Sequence, residues 1–201
     1  MNRIAAVDGG TYFHKRTLYD SPYEVYFDDY IYAPDLADTN LEAFDCLFVT
    51  SRQDGDLMAN AKSNIEAFLN SGKTVIAMGE TNAWRWLPNI DWQPTEVNFW
   101  WWLDKEAESG LTVKDPEHSL FEYLTLNDAT WHQHGYFNAP EKSRSLIEIK
   151  NKGSILYDDQ SSTPGRIIAT TLDPCYHHGS FFMPSTTKFL NAFLPWLKAQ
   201  K

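Results

Sequence analysis

Gly165-Arg166-Ile167-Ile168-Ala169-Thr170-Thr171-Leu172-Asp173-Pro174-Cys175-Tyr176-His177-His178-Gly179 is the stretch whose reading decides the fold. It opens as a β-branched apolar run with no polar alternation. Such a run reads as a strand buried on both faces, as in a parallel sheet. It closes in what reads as a short loop holding an aspartate, a cysteine, a tyrosine and two histidines. In open α/β sheets, ligands bind beyond the carboxyl ends of the strands. The densest titratable cluster of the chain therefore falls where that architecture places its chemistry.

Three more runs have the same character: Ile4–Val7, Asp45–Thr50 and Thr74–Met78. Between the last two, the spacing of Met58, Ala61, Ile65, Phe68 and Leu69 predicts a helix from about Leu57 to Ser71. Asp54 or Asp56 caps its start and Gly72 its end. Strand, helix and strand with short joints make a right-handed βαβ unit. A final helix is expected from Ser185 to Ala199, with a kink or early end at Pro195. Leu146–Ile149 and Ser154–Tyr157 read as a hairpin around Asn151-Lys152-Gly153. Residues 23–32 are expected as a further strand, and Tyr12–Arg16 as a loop.

Residues 84–140 change character: they are aromatic and broken by prolines. This stretch reads as an aromatic-rich insertion or cap near the carboxyl edge of the sheet. It carries Trp100-Trp101-Trp102 and, on an expected strand from Ala129 to Phe137, Trp131, His132 and His134.

With 201 residues and 43% hydrophobic content, the chain suits one α/β domain with a full core. A net charge of −10 argues against a nucleic-acid backbone as partner. No stretch approaches the roughly 20 apolar residues of a membrane helix, and the N-terminal apolar run is too short for a signal peptide. Two cysteines, Cys46 and Cys175, make no disulfide framework, so a reduced, cytoplasmic setting is expected.

Two constellations can carry chemistry. His132 and His134 are two apart, so on a strand both rings point the same way. Asp173, His177 and His178 form the second. Together they offer the donors that zinc or iron accepts, general acid/base groups, or structural hydrogen bonds. Cofactors are expected to be none, with metal kept as an alternative.

Cys175, near His177, could be a nucleophile, although Pro174 makes a nucleophile turn a poor description of its surroundings. Glu80, on the turn after the Thr74–Met78 strand, reads either as a base at the same edge or as a carboxylate favoured by a helix N-terminus. Asp8-Gly9-Gly10 permits a tight turn and close ligand approach after the first strand, but lacks the third glycine of a dinucleotide fingerprint. Trp100, Trp102, Trp131 and Tyr176, with Gly9 and Gly10, are the expected substrate contacts.

These residues resemble the class I glutamine amidotransferase-like superfamily. The block Gly165–Thr171 with its His-bearing loop and final helix is similar to the end of the trehalose-utilisation (ThuA-like) branch. The first strand with Asp8-Gly9-Gly10, and the strand and turn Val75–Asn82, fit the same plan. The resemblance implies a flavodoxin-like fold: a mostly parallel central sheet flanked by helices. Its ThuA-like branch implies carbohydrate-related chemistry.

The departures carry weight. Amidotransferases place a cysteine at the elbow after this strand, where Met78-Gly79-Glu80-Thr81-Asn82 stands here. Their C-terminal His-Pro-Glu is replaced by Asp173–His178. Without the thiol no glutamyl thioester forms, so glutaminase activity is not expected. The expected activity is instead binding or transformation of a small, sugar-like molecule by a hydrolase-type or sugar-modifying protein. The alternatives are a binding or homo-oligomerising module that has lost its chemistry, and a His/Asp metal-dependent hydrolase.

Overall fold

The computed structural model describes residues 2–20, 22–79, 81–95, 104 and 106–200. The continuous apolar runs become the centre of one sheet. β1 (Ile4–Asp8), β3 (Cys46–Val49), β4 (Thr74–Met78) and β10 (Arg166–Thr170) run parallel, with β2 (Asp29–Tyr32) parallel to β1 at one edge. The order is β2-β1-β3-β4-β10. On the far side of β10 the sheet turns antiparallel, through β9 (Ser154–Asp159), β8 (Arg144–Ile149), β7 (Gly135–Phe137), β6 (Leu111–Val113) and β5 (Trp92–Pro94).

Alternate residues of each central strand face opposite sides, and both sides are covered. Ile4, Ala6, Phe48, Ile76 and Ile168 pack under α5 (Pro184–Ala199), beside α1 (Tyr12–Leu18) and α4 (Pro174–Gly179). Ala5, Val7, Leu47, Val75 and Ile167 pack under α2 (Gly55–Asn60) and α3 (Lys62–Asn70). Two-sided burial is why these strands carry no polar alternation.

Several expectations need correction. The 57–71 helix is two helices, α2 and α3, meeting at Ala61. Residues 23–32 are a 3-10 turn, Pro22–Tyr26, followed by the short β2; Tyr23 turns inward and its hydroxyl donates to Asn191 Oδ1 at 2.9 Å. The Tyr12–Arg16 loop is α1, capped by Thr11. Its buried face is His14, Thr17 and Leu18, so polar residues hide the helical period.

Pro195 does not end α5, which runs on to Ala199. A proline inside a helix costs about 3 kcal/mol. Burial of Trp196 and Leu197 beyond it, at roughly 1.5–3 kcal/mol each, outweighs that. The expected strand over 129–137 shrinks to β7, so His132 and His134 lie in the bend before it. The 84–140 stretch adds β5, β6 and β7 to the same sheet, and its Trp86, Leu120 and Trp131 are buried core. The hairpin stands as β8–β9, with Asn151 at φ 61° in its turn.

At the other end of β10 from the candidate site, Asp158 accepts two hydrogen bonds from Arg166, at 2.9 and 2.7 Å, and lies 3.1 Å from His118 Nε2. Burial by itself would raise the Asp158 pKa; the hydrogen bonds from His118 and Arg166 and their charge bring it down to about 2. An unfolded aspartate titrates near ~3.9. The stability this arrangement adds is thus complete above pH ~4 and lost as pH falls toward ~2, a change of about 2 kcal/mol. Asp158→Asn is expected to remove that part of the acid limb of a stability–pH curve. An unchanged slope between pH 4 and 2 in the variant would refute the assignment.

Candidate active site

Four strand ends build the site. Gly9 and Gly10 follow β1, Ser51-Arg52-Gln53 follow β3, Gly79, Thr81 and Asn82 follow β4, and Thr171 to Asp173 follow β10. The turns are tied together by buried bonds. His14 sits below them, fully buried. Its Nδ1 accepts from the Gly9 amide at 3.0 Å and its Nε2 donates to the Ser51 carbonyl at 2.7 Å. Burial lowers the His14 pKa, which suits this neutral tautomer. His14 is therefore a brace between the β1 and β3 turns.

Gly79 has φ +63°, and a Cβ there would lie 2.6 Å from the Asp173 Cβ. Only glycine lets the β4 turn pass this close to the end of β10.

Asp173 is completely buried. Arg52 Nε and Nη2 both donate to its Oδ2, at 3.2 and 2.9 Å. That leaves Oδ1 toward His177, whose Nε2 is 3.1 Å away. The two atoms are in close contact, and among the described residues neither has a hydrogen-bond partner. Burial would raise the Asp173 pKa, but His177, Arg52 and His132 around it hold it below the usual carboxylate range.

The loop expected over Asp173–Gly179 is helix α4, with Pro174 in its first turn, where proline is favoured. The helix turns His177 inward at 2% exposure and carries Tyr176 beneath the Arg52 guanidinium, 4.0 Å from the ring centroid.

The two histidine pairs meet through His132 and His177, and His178 stays outside the contact. The His132 ring lies 4.9 Å from that of His177 and 5.2 Å from that of His134, both edge to face. Burial pushes His132 down to about 4, so its imidazole is neutral at pH 7. Ligating atoms of His132, Asp173 and His177 all fall within 4.8 Å of one another.

His134 and Arg52 also line a cleft of about 410 Å³, with Gln53, Asn82 and Thr171 as further polar groups. Trp84 and Trp92 line the same cleft, stacked at 5.1 Å.

Among the described residues, the other expected ones do not join the cluster. His178 turns away from the cluster, bonding Thr187 Oγ1 at 2.9 Å and packing on Tyr23. Trp131 is core, edge-on to Phe189. The amides of Gly9 and Gly10 are held by His14 and Asp8 of the same chain. Glu80, Trp100 and Trp102 lie outside the described residues.

Cys175 is buried in α4 and burial pushes its thiol up to about 12, which does not suit a nucleophile. Cys46 is likewise buried, its thiol raised further.

Arg52, Trp84 and Trp92 are not among the expected site residues. Arg52 carries only a weak signal: a charged side chain three residues beyond a fully apolar strand, at the edge where ligands bind. It adopts φ 61°, a conformation rare for arginine.

No family model matches the sequence, and no curated protein matches it. Solved structures do. A GMP synthase-like protein from Thermoplasma acidophilum is 14% identical, with a TM-score of 0.55 over 97% of this chain and 93% of its own. A glutamine amidotransferase from Thermotoga maritima is 10% identical, with a TM-score of 0.54 over 98% and 84%. The chain has the class I glutamine amidotransferase-like fold. A ThuA-like protein from Bacteroides uniformis shares it at 12% identity and a TM-score of 0.50, over 95% and 89%. The expected flavodoxin-like, mostly parallel sheet is present, and at these identities the likeness is one of fold.

Among the described residues, no helix is long and apolar enough to cross a membrane.

Proposed function

We propose that this protein takes a small, polar, sugar-like molecule into the cleft at the carboxyl edge and acts on it by a hydrolase-type step, without glutaminase activity, in a cytoplasmic setting. The observation that carries this reading is the buried His132–Asp173–His177 cluster. It is joined to the cleft by two residues. Arg52 lines the cleft and holds Asp173; His134 lines it and touches His132.

Imidazoles beside a buried carboxylate are suited to moving protons at a bound molecule. The stacked indoles of Trp84 and Trp92 offer an aromatic face to a sugar ring, and Gln53 and Asn82 offer hydrogen bonds to hydroxyls. Glutaminase chemistry is set aside because both thiols are buried and raised.

The test is a panel of mono- and disaccharides in ligand-observed NMR. Saturation transfer from the wild type to one or more of them is expected. A folded His132→Ala/His177→Ala variant should lose turnover of that ligand by two or more orders of magnitude, the range of general acid–base contributions. Unchanged turnover in the double variant, or no ligand in the panel, would sink the reading.

A further inference from the structure

We propose that His132, Asp173 and His177 bind a divalent transition-metal ion of the zinc type. This deepens the reading of the carboxyl edge as the functional site, on which it rests, by naming the group that performs chemistry there.

The donor set is two imidazoles and one carboxylate, all buried, with ligating atoms within 4.8 Å of one another. Zinc bonds of about 2.1 Å in tetrahedral geometry place neighbouring ligand atoms ~3.4 Å apart. His177 Nε2 and Asp173 Oδ1 already stand 3.1 Å apart. These atoms do not satisfy each other. Among the described residues, both His177 ring nitrogens and Asp173 Oδ1 are buried without a hydrogen-bond partner. Buried polar atoms in such a state are rare in folded proteins, and here His177 Nε2 and Asp173 Oδ1 face each other.

What suits the convergence is a centre that accepts lone pairs from several directions. A proton serves two atoms at most; a divalent ion takes one nitrogen from each of His132 and His177 together with an Asp173 oxygen.

The surroundings fit. Arg52 fixes Asp173 through Oδ2 and so aims Oδ1 at the cluster; outer partners of ligating groups act in this way. Three protein ligands leave a coordination position open, the pattern of catalytic and not structural zinc.

His134 lies beside His132 on the cleft side, and a water would fill the open position. Water on such an ion loses a proton near pH 7. In a hydrolysis the resulting hydroxide bonds to the electrophilic carbon of the substrate, and the leaving group takes up the released proton.

The test uses the full chain purified without a metal-affinity step, stripped with EDTA, with Zn²⁺ and Co²⁺ alone as probes. About one zinc per chain is expected by mass spectrometry, with a metal-dependent rise in Tm. Co²⁺ should give a visible absorption band that zinc abolishes, and at least two shifted imidazole N–H signals in proton NMR. His132→Ala and His177→Ala should each weaken zinc binding by more than the roughly 100-fold that loss of an outer partner costs. His178→Ala, whose ring points elsewhere, should bind as the wild type does.

No stoichiometric metal in the wild type overturns the proposal, as does unchanged affinity in the folded His132 and His177 variants. If those variants do not fold, the cobalt spectra of the wild type decide, and absence of shifted imidazole signals overturns it. A wild type that binds a saccharide but no zinc overturns the metal site alone. Zinc binding without any saccharide leaves the metal site standing and overturns the sugar reading.

Discussion

Replacing Trp86 with alanine is expected to destabilise the protein by about 3–5 kcal/mol, seen as a lower urea midpoint at unchanged slope. Trp86 has no exposed surface. Its ring fills the face of the sheet shared with Met58, Ala83 and Leu87. Its Nε1 donates to the Thr81 carbonyl at 2.7 Å, so the variant leaves a large cavity and a buried acceptor without its donor. Trp84, two residues earlier, is the control. It is 46% exposed and stacks on Trp92, so Trp84→Ala should cost less than about 1 kcal/mol. Equal losses in the two variants would show that Trp86 is not the core residue its burial implies.

This contrast marks what the sequence could and could not convey. A tryptophan in an aromatic, proline-broken stretch reads as a cap whether it fills the core, as Trp86 does, or walls a cleft, as Trp84 does. Composition is the same in both; only the partner across the gap differs. The central strands are legible because burial on both faces removes every polar residue from Ile4–Val7, Cys46–Val49, Val75–Met78 and Ile167–Ala169, and that signal is local. Helix α1 is not legible. Its buried face includes His14 and Thr17, whose polar atoms are satisfied by Gly9, Ser51 and Cys175, the last two far away in sequence. Helix α4 is hidden for a related reason: Pro174 reads as a break, although at the first helical position it is a start signal.

The site follows the same rule. Asp173, His177, His132 and His134 stand out as a density of titratable groups. Their meeting depends on the bend before β7 crossing over α4, and no spacing in the chain encodes that approach. Arg52 gives little warning because a lone arginine after a strand is common, and its function depends on Asp173, 121 residues away. His178 enters the expected site only by adjacency to His177. On a helix adjacent residues diverge by about 100°, which sends His178 to Thr187 and His177 to the cluster.

Asp173→Ala is expected to cost about 3 kcal/mol and to abolish the function of the site. Breaking a buried ion pair by removing one partner typically costs about 3–5 kcal/mol, because the other charge stays behind. Here the stranded charge is Arg52, whose side chain is 30% exposed. It can reach water in part, which favours the lower end of that range. The variant also removes the acceptor that faces His177 and the mass that the Gly79 turn packs against. Asp173→Asn separates these effects. It keeps the shape and one carbonyl toward Arg52 and loses the charge, so it should retain more than half of the lost stability while losing function fully. Arg52→Met probes the other side of the pair. It leaves a buried carboxylate with only histidines near it, and should destabilise more than Asp173→Asn does. Denaturant unfolding of the three variants, with saccharide turnover measured beside it, gives the ordering. A loss below about 1 kcal/mol in Asp173→Ala would mean that the Arg52–Asp173 contact is not what joins the β3 turn to the end of β10. Asp173→Asn with full turnover would mean that the carboxylate charge has no part in the chemistry of this edge.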